Sequence, residues 1–114
     1  MKTISFHNYK ILIGENSKEN WLIIDKSDSF DLWFHIDDSS SCHVIAQEDL
    51  RSLEKIDVNM LINECAKLCR ENTPKLRGKK VIVIYTTVSN IRKCKEIGSV
   101  EILEEKDVKK IKLI

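Results

Sequence analysis

No run in this sequence approaches the ~20 apolar residues that crossing a bilayer requires. The opening stretch Met1-Lys2-Thr3-Ile4-Ser5-Phe6-His7 also lacks the apolar core of a signal peptide. Both absences lead to the expectation of a chain with no membrane partner, working in the cytoplasm. Glycine is scarce, with Gly14, Gly78 and Gly98 far apart. They build neither G-x-G-x-x-G nor a P-loop, so nucleotide hydrolysis has no support. The cysteines, Cys42, Cys65, Cys69 and Cys94, contain no C-x-x-C pair, and their spacing fits neither a zinc knuckle nor a dense disulfide frame. They read as reduced and mostly buried thiols.

What is present is enough for one core. With 114 residues, 42% of them hydrophobic, the chain is the size of one domain that folds without staples or metals. Ile4 and Phe6, then Ile11, Leu12 and Ile13, flank His7-Asn8-Tyr9-Lys10 and predict a hairpin ending at Gly14. Asn16 or Ser17 caps a short helix over about 17–26. Leu32, Phe34 and Ile36 alternate with Trp33, His35 and Asp37 as a strand, Ser39-Ser40-Ser41 turns the chain, and His43-Val44-Ile45-Ala46 returns. A long helix is expected over about 57–72, with Asp57 as its N-cap and Val58, Leu61, Ile62, Cys65, Leu68 and Cys69 on its apolar face. Pro74 blocks its continuation. The apolar run Val81–Tyr85 is a strand covered on both faces. Val100–Leu103 and Val108–Ile114, joined by Glu104-Glu105-Lys106-Asp107, are expected to close the chain as a hairpin. No repeat or linker interrupts this order, so the expected fold is a single α+β domain over 1–114 with a mixed, mostly antiparallel sheet.

The net charge of +1 hides an uneven distribution. Residues 1–56 carry six Lys/Arg against ten Asp/Glu, and residues 57–114 carry thirteen against eight. Between 67 and 95, nine basic residues, Lys79, Lys80, Arg92 and Lys93 among them, face one acid, Glu71. Such a block is either a footprint for phosphates or a solvated face.

The stretch 31–46 concentrates the special chemistry. His35 and His43 beside Asp37 and Asp38 have the residue types of a metal site, but two histidines fall short of a ligand set, and a hydrogen-bonded pair fixing the hairpin is the plainer reading. Cys42 and His43 are neighbours on a strand and point to opposite faces, which excludes a nucleophile–base pair. No catalytic residue, metal ligand or cofactor site is therefore expected. Nucleic-acid recognition has better parts. Trp33 offers a flat surface for a base unless the core takes it. His35 and His43 donate to phosphates or base edges and titrate near neutrality, and Ser89, Asn90, Arg92 and Lys93 are placed to grip a backbone.

These residues resemble a known family. Gly14 with Lys18-Glu19-Asn20, Asp31-Leu32-Trp33-Phe34-His35, Cys42-His43-Val44-Ile45, Tyr85-Thr86, Ser89-Asn90-Ile91-Arg92-Lys93 and Gly98 are similar, in order, to the NFACT-R domain. That module occurs in ribosome quality-control factors and in bacterial fibronectin-binding-protein-like proteins. The serine-rich turn resembles most the small eukaryotic forms in which a coiled coil follows the domain, and a module acting without that coiled coil is the expectation here. The resemblance implies a non-catalytic module with a mixed sheet flanked by helices, binding RNA (tRNA or rRNA) or else DNA, in association with the ribosome or another protein. It adds Lys18 and Asn20 to the signature residues Trp33, His35, His43, Asn90, Arg92 and Lys93. A second reading is a protein-interaction adaptor docking through the 31–46 hairpin. A small metal-dependent enzyme has the least behind it.

Overall fold

The computed structural model describes residues 1–114. Strands β1 (Lys2–Phe6) and β2 (Tyr9–Gly14) form the expected hairpin around His7 and Asn8. Both turn residues have positive φ, at 49° and 68°, as a two-residue turn that follows the strand twist demands. Helix α1 (Ser17–Asp25) starts where Asn16 Oδ1 accepts from Glu19 N at 2.9 Å, while the Glu19 carboxylate reaches back to Glu15 N at 3.0 Å. Strands β3 (Leu32–Ile36) and β4 (His43–Ala46) pair across the serine turn. Helix α2 (Lys55–Glu71) then leads to β5 (Val81–Thr87), the short strands β6 (Ile91–Lys93) and β7 (Val100–Ile102), and finally β8 (Lys109–Leu113).

Six strands make one sheet in the order β1-β2-β4-β3-β5-β8, and every pairing is antiparallel. This is the limit of the mostly antiparallel α+β arrangement expected. The β3–β4 hairpin lies in the middle, so both faces of its strands are covered. One face carries Ile11, Ile13, Phe34, Val44 and Val83 and packs against Leu61, Cys65, Ala66 and Cys69 of α2. The opposite face carries Leu12, Trp33, Ile45 and Ile84 and is closed by Ile23 of α1 and by Ile91, Val100 and Ile102 of the β6–β7 ribbon. Each fully buried Ile, Leu or Phe contributes on the order of 2 kcal/mol, and the two clusters share the sheet as their common wall.

Two expectations are corrected. Helix α2 begins at Lys55 rather than Asp57, and its N-cap Glu54 makes no side-chain cap bond. Asp57 sits in the first turn, where a carboxylate complements the helix dipole. The closing hairpin does not form. Strand β7 pairs with β6 in a separate ribbon, whereas β8 pairs with β5 at the edge of the main sheet, Val81 opposite Leu113. Asn90 separates them: Leu103 N donates to Asn90 O and Glu104 N to Asn90 Oδ1, both at 2.9 Å. A single 3-10 turn, Glu105–Asp107, then redirects the chain. Both segments are amphipathic, and alternation says which face is apolar without saying which strand is the partner.

Close approach of α1 to the sheet depends on Gly14. A Cβ there would lie 2.5 Å from Asn20 Oδ1 and 2.8 Å from Asn20 N. Gly14→Ala should therefore lower the unfolding free energy by at least ~2 kcal/mol, the range of overpacking changes that move backbone, seen as an earlier urea midpoint. A midpoint within error of wild type would mean that α1 is free to shift.

Candidate nucleic-acid interface

Trp33, His35 and His43 emerge on the α1 face of the sheet and touch one another. Trp33 is 2% exposed and His43 3%. The Trp33 and His35 rings stack at 5.5 Å and 11°, and His43 meets both edge-on, at 5.4 and 5.0 Å. Burial leaves polar atoms needing partners, and the partners identify the tautomers. Trp33 Nε1–H donates to His43 Nδ1 at 3.0 Å, and indole N–H is only a donor. The proton of neutral His43 therefore sits on Nε2. His35 Nδ1 lies 2.7 Å from Ile36 O, and a carbonyl only accepts, so His35 carries its proton on Nδ1 and presents a bare Nε2. The backbone of His43 is held as well, its N donating to Asn20 Oδ1 at 3.2 Å.

Burial, and secondarily the neighbouring His35, brings the His43 pKa down to about 3. His35 is also lowered, by burial, against opposing contributions from its bond to Ile36 O and from Asp37. Near neutral pH both rings are uncharged. The expected titration near neutrality is thus absent for the folded His43, because an imidazolium enclosed by indole and sheet loses its hydration. Trp33 does not present a free face for base stacking, since one face is taken by His35 and the rest by the core.

Around this cluster lies a cavity of about 460 Å³. Ser17 and Asn20 of α1, Ser40 and Ser41 of the serine turn, and Gly98 and Ser99 of the β6–β7 loop form its polar rim. Gly98 has φ +90°, and a Cβ there would sit 2.8 Å from Ser17 Cα, so the loop lies directly on the start of α1. Trp21 Nε1 donates to Ser99 O at 3.0 Å and anchors the same loop. The serines and Lys75, whose Nζ donates to Ser40 Oγ at 2.9 Å, were not singled out by the sequence. Three consecutive serines look like any turn, and the convergence of two of them, Ser40 and Ser41, on the histidines depends on pairing.

The remaining candidates scatter. Asn20 borders the cavity, and Lys18 is exposed on the first turn of α1. Asn90 is buried and structural: its amide donates to Thr86 Oγ1 and Glu104 O at 3.0 and 2.9 Å, so it has no hand free for a backbone. Ser89 is exposed, its hydroxyl bonded to Thr87 Oγ1 at 2.8 Å. Arg92 pairs with Glu101, and Lys93 with Asp25. Lys79 and Lys80 are exposed beyond the C-terminal end of α2. The basic block thus divides, one part around the end of α2 and the other on the ribbon covering the Trp33 face.

No cluster of three His, Cys, Asp or Glu side chains suited to a metal occurs. Asp37 is engaged by Lys110 at 3.2 Å. Cys42 turns to the α2 side, its thiol donating to Cys69 O at 3.2 Å, away from His43. The Cys65 thiol, pushed up by burial, stays protonated in the core. The adaptor reading loses most of its surface, because β4 lies between β2 and β3, and β3 between β4 and β5. Neither strand has an open edge for a partner.

A family model described as the NFACT protein RNA binding domain matches residues 1–104. Coiled-coil domain-containing protein 25 of Mus musculus is 32% identical over 114 residues, an alignment covering 94% of this chain and 53% of the mouse protein. The coiled-coil domain-containing protein 25 homolog of Dictyostelium discoideum is 33% identical over 112 residues, covering 91% and 52%. The chain spans about half the length of the curated relatives it matches. The solved C-terminal of the fibronectin/fibrinogen-binding protein from Streptococcus suis shares the fold, with a TM-score of 0.76 at 19% identity over 97% of this chain and 43% of that one. The class this defines is a small α+β domain with a nucleic-acid-binding role. Within that class, the chain belongs to the NFACT RNA-binding domain family, a membership that points to a non-enzymatic role.

The lowered His43 pKa has a measurable sign. The unfolded imidazole, ordinarily near 6.5, takes up a proton that the folded one refuses until about 3. Its contribution is intact above the unfolded value and is lost as pH falls between the two, amounting to about 2 kcal/mol at pH ~5. Unfolding free energies at pH ~7 and ~5 should differ by that much more in wild type than in His43→Asn, whose Oδ1 still accepts from Trp33. Equal losses in the two proteins would contradict this account.

Proposed function

We propose that the chain is a non-catalytic RNA-binding module whose natural ligand is tRNA or rRNA, acting in the cytoplasm in translation or in surveillance of the ribosome. The observation that carries this reading is the match of residues 1–104 to an RNA-binding domain family. Support comes from the placement of cations. Lys18, Lys79, Lys80 and Lys95 are exposed and make no salt bridge, and Lys75, in the groove adjoining the histidine cavity, is bonded only to a hydroxyl. Arg92 and Lys93 contribute less net attraction, because each already has a carboxylate beside it. Neutral histidines add direction without charge, so affinity comes from the lysines. DNA offers the same phosphates and binds more weakly where the 2′-hydroxyl is read.

The affinity for tRNA should fall linearly with salt on logarithmic axes, and absence of binding at ~50 mM salt, where even nonspecific contacts register, would defeat the proposal. The double change Lys18→Ala/Lys75→Ala should reduce that slope by roughly 1.5, from two lost phosphate contacts at ~0.7–0.9 each. Arg92→Ala/Lys93→Ala should reduce it by less. The reverse ranking would place the RNA across the outer surface of the ribbon.

A further inference from the structure

The Nε2 atoms of His35 and His43 are the unused half of the buried cluster. Each histidine spends its Nδ1 inside the protein, on Ile36 O and on Trp33 Nε1–H. Neither Nε2 has a protein partner, and no buried side-chain nitrogen or oxygen lacks one, so both atoms stand on the accessible wall of the cavity that the two residues line. The tautomers fixed behind them make His43 Nε2–H a donor and His35 Nε2 an acceptor, on rings whose centroids lie 5.0 Å apart at 87° to each other.

We infer that this cavity receives a single unstacked nucleobase, His43 Nε2–H donating to a base acceptor and His35 Nε2 accepting from the adjacent base donor. This rests on the RNA-binding reading and assigns the part of the nucleotide that the histidines address. Every base carries a donor next to an acceptor on its Watson–Crick edge, the edge by which proteins read splayed RNA bases. A phosphate suits the cavity poorly. It has only acceptors to set against His35 Nε2, the cavity is lined by no Lys or Arg, and Glu105 is among its lining residues. The remaining walls suit a flat heterocycle: Ile84, Ile97, Val100 and Ile102 are apolar, the Ser17 hydroxyl is free to turn to either polarity, and Ser40 Oγ, which accepts from Lys75, keeps its proton to donate. The volume of about 460 Å³ falls within the ~300–1,000 Å³ of small-molecule pockets. An adjoining groove shares Ser17, Asn20, Ser40 and Ser41 with the cavity and is lined by Lys75, a cation for the phosphate of the same nucleotide, and by Glu15, whose carboxylate pairs with Lys2.

The histidines can be altered on the cavity side alone. In His43→Asn, Oδ1 replaces Nδ1 as the acceptor for Trp33 and the Nε2 donor is gone. In His35→Asn, Nδ2 keeps the bond to Ile36 O and the Nε2 acceptor is gone. Binding of short single-stranded RNA by both variants and wild type is measured across a salt series, and nucleosides at millimolar concentration are titrated into each protein while the Trp33 indole N–H is followed by NMR. The expected result is about tenfold weaker RNA binding in either variant with the salt slope unchanged, since no phosphate contact is lost, together with an indole shift in wild type that both variants reduce. RNA binding unaltered in the variants, with an indole unmoved by nucleosides, would overturn the base pocket and leave the RNA-binding reading standing. A nucleoside shift without any RNA binding would keep the pocket and remove that reading. Silence in both arms would remove both. The titration of wild type decides the matter even where a variant fails to fold. Free nucleosides matching RNA in affinity per base would identify a free nucleoside, rather than a strand, as the ligand.

Discussion

The hydrogen bond from Trp33 Nε1 to His43 Nδ1 is the constraint around which the histidine face is arranged. The β3–β4 hairpin occupies the middle of a sheet covered on both sides, so every polar atom its side chains carry inward must be matched there. A tryptophan and a histidine on facing strands satisfy each other, and that pairing leaves His43 with its proton turned outward. Stacking of His35 on the same indole brings in the second ring. Burial keeps His43 neutral, and the polar wall of the cavity follows from the same contacts that close the core. The atoms that support the core are the ones that line the cavity.

The cover over that wall is held by close backbone approach. Gly14 lets Asn20 reach the sheet, where its side chain holds the His43 backbone. Gly98 lets the β6–β7 loop rest on the first residue of α1, and Asn90 ties off the ribbon at its far end. Of the residues with the look of a phosphate-gripping motif, Asn90 ties the ribbon through its amide bonds, Lys93 reaches Asp25 of α1, and Arg92 pairs with Glu101 across the ribbon itself. Cations left without such partners lie elsewhere, on the start of α1, beyond the end of α2 and in the ribbon loop. The charge block contiguous in sequence is not contiguous in space.

Much of the fold was legible because it is written in period and in local capping. The first hairpin, the Asn16 cap, the alternation of β3 and the apolar stripe of α2 each depend on residues within a few positions of one another. The cap of α2 lies three residues ahead of the expected Asp57, since Asp57 is a good capping type and Glu54 takes that place without using its side chain. The final hairpin was misassigned because β7 and β8 carry equally amphipathic patterns, and the selection of partners depends on Asn90 and on the free edge of β5. The family signature in 31–43 was readable residue by residue, while its chemistry was not. Of the two readings of Trp33, a surface for bases or part of the core, the structure has the second, as a buried donor, and His43 read as titrating near neutrality is held neutral.

By itself the sequence determined the α+β class, the identity of most elements, the opposition of Cys42 and His43 and the family, all of which follow from composition, strand alternation and order along the chain. Only the tertiary structure decided which strands pair, which cations are already neutralised, which histidine nitrogen faces outward and that four serines, an asparagine and two histidines border one cavity. The physical reason is that burial and hydrogen-bond partners belong to contacts between residues distant in sequence. Those contacts set protonation, and protonation sets what the histidine pair can recognise.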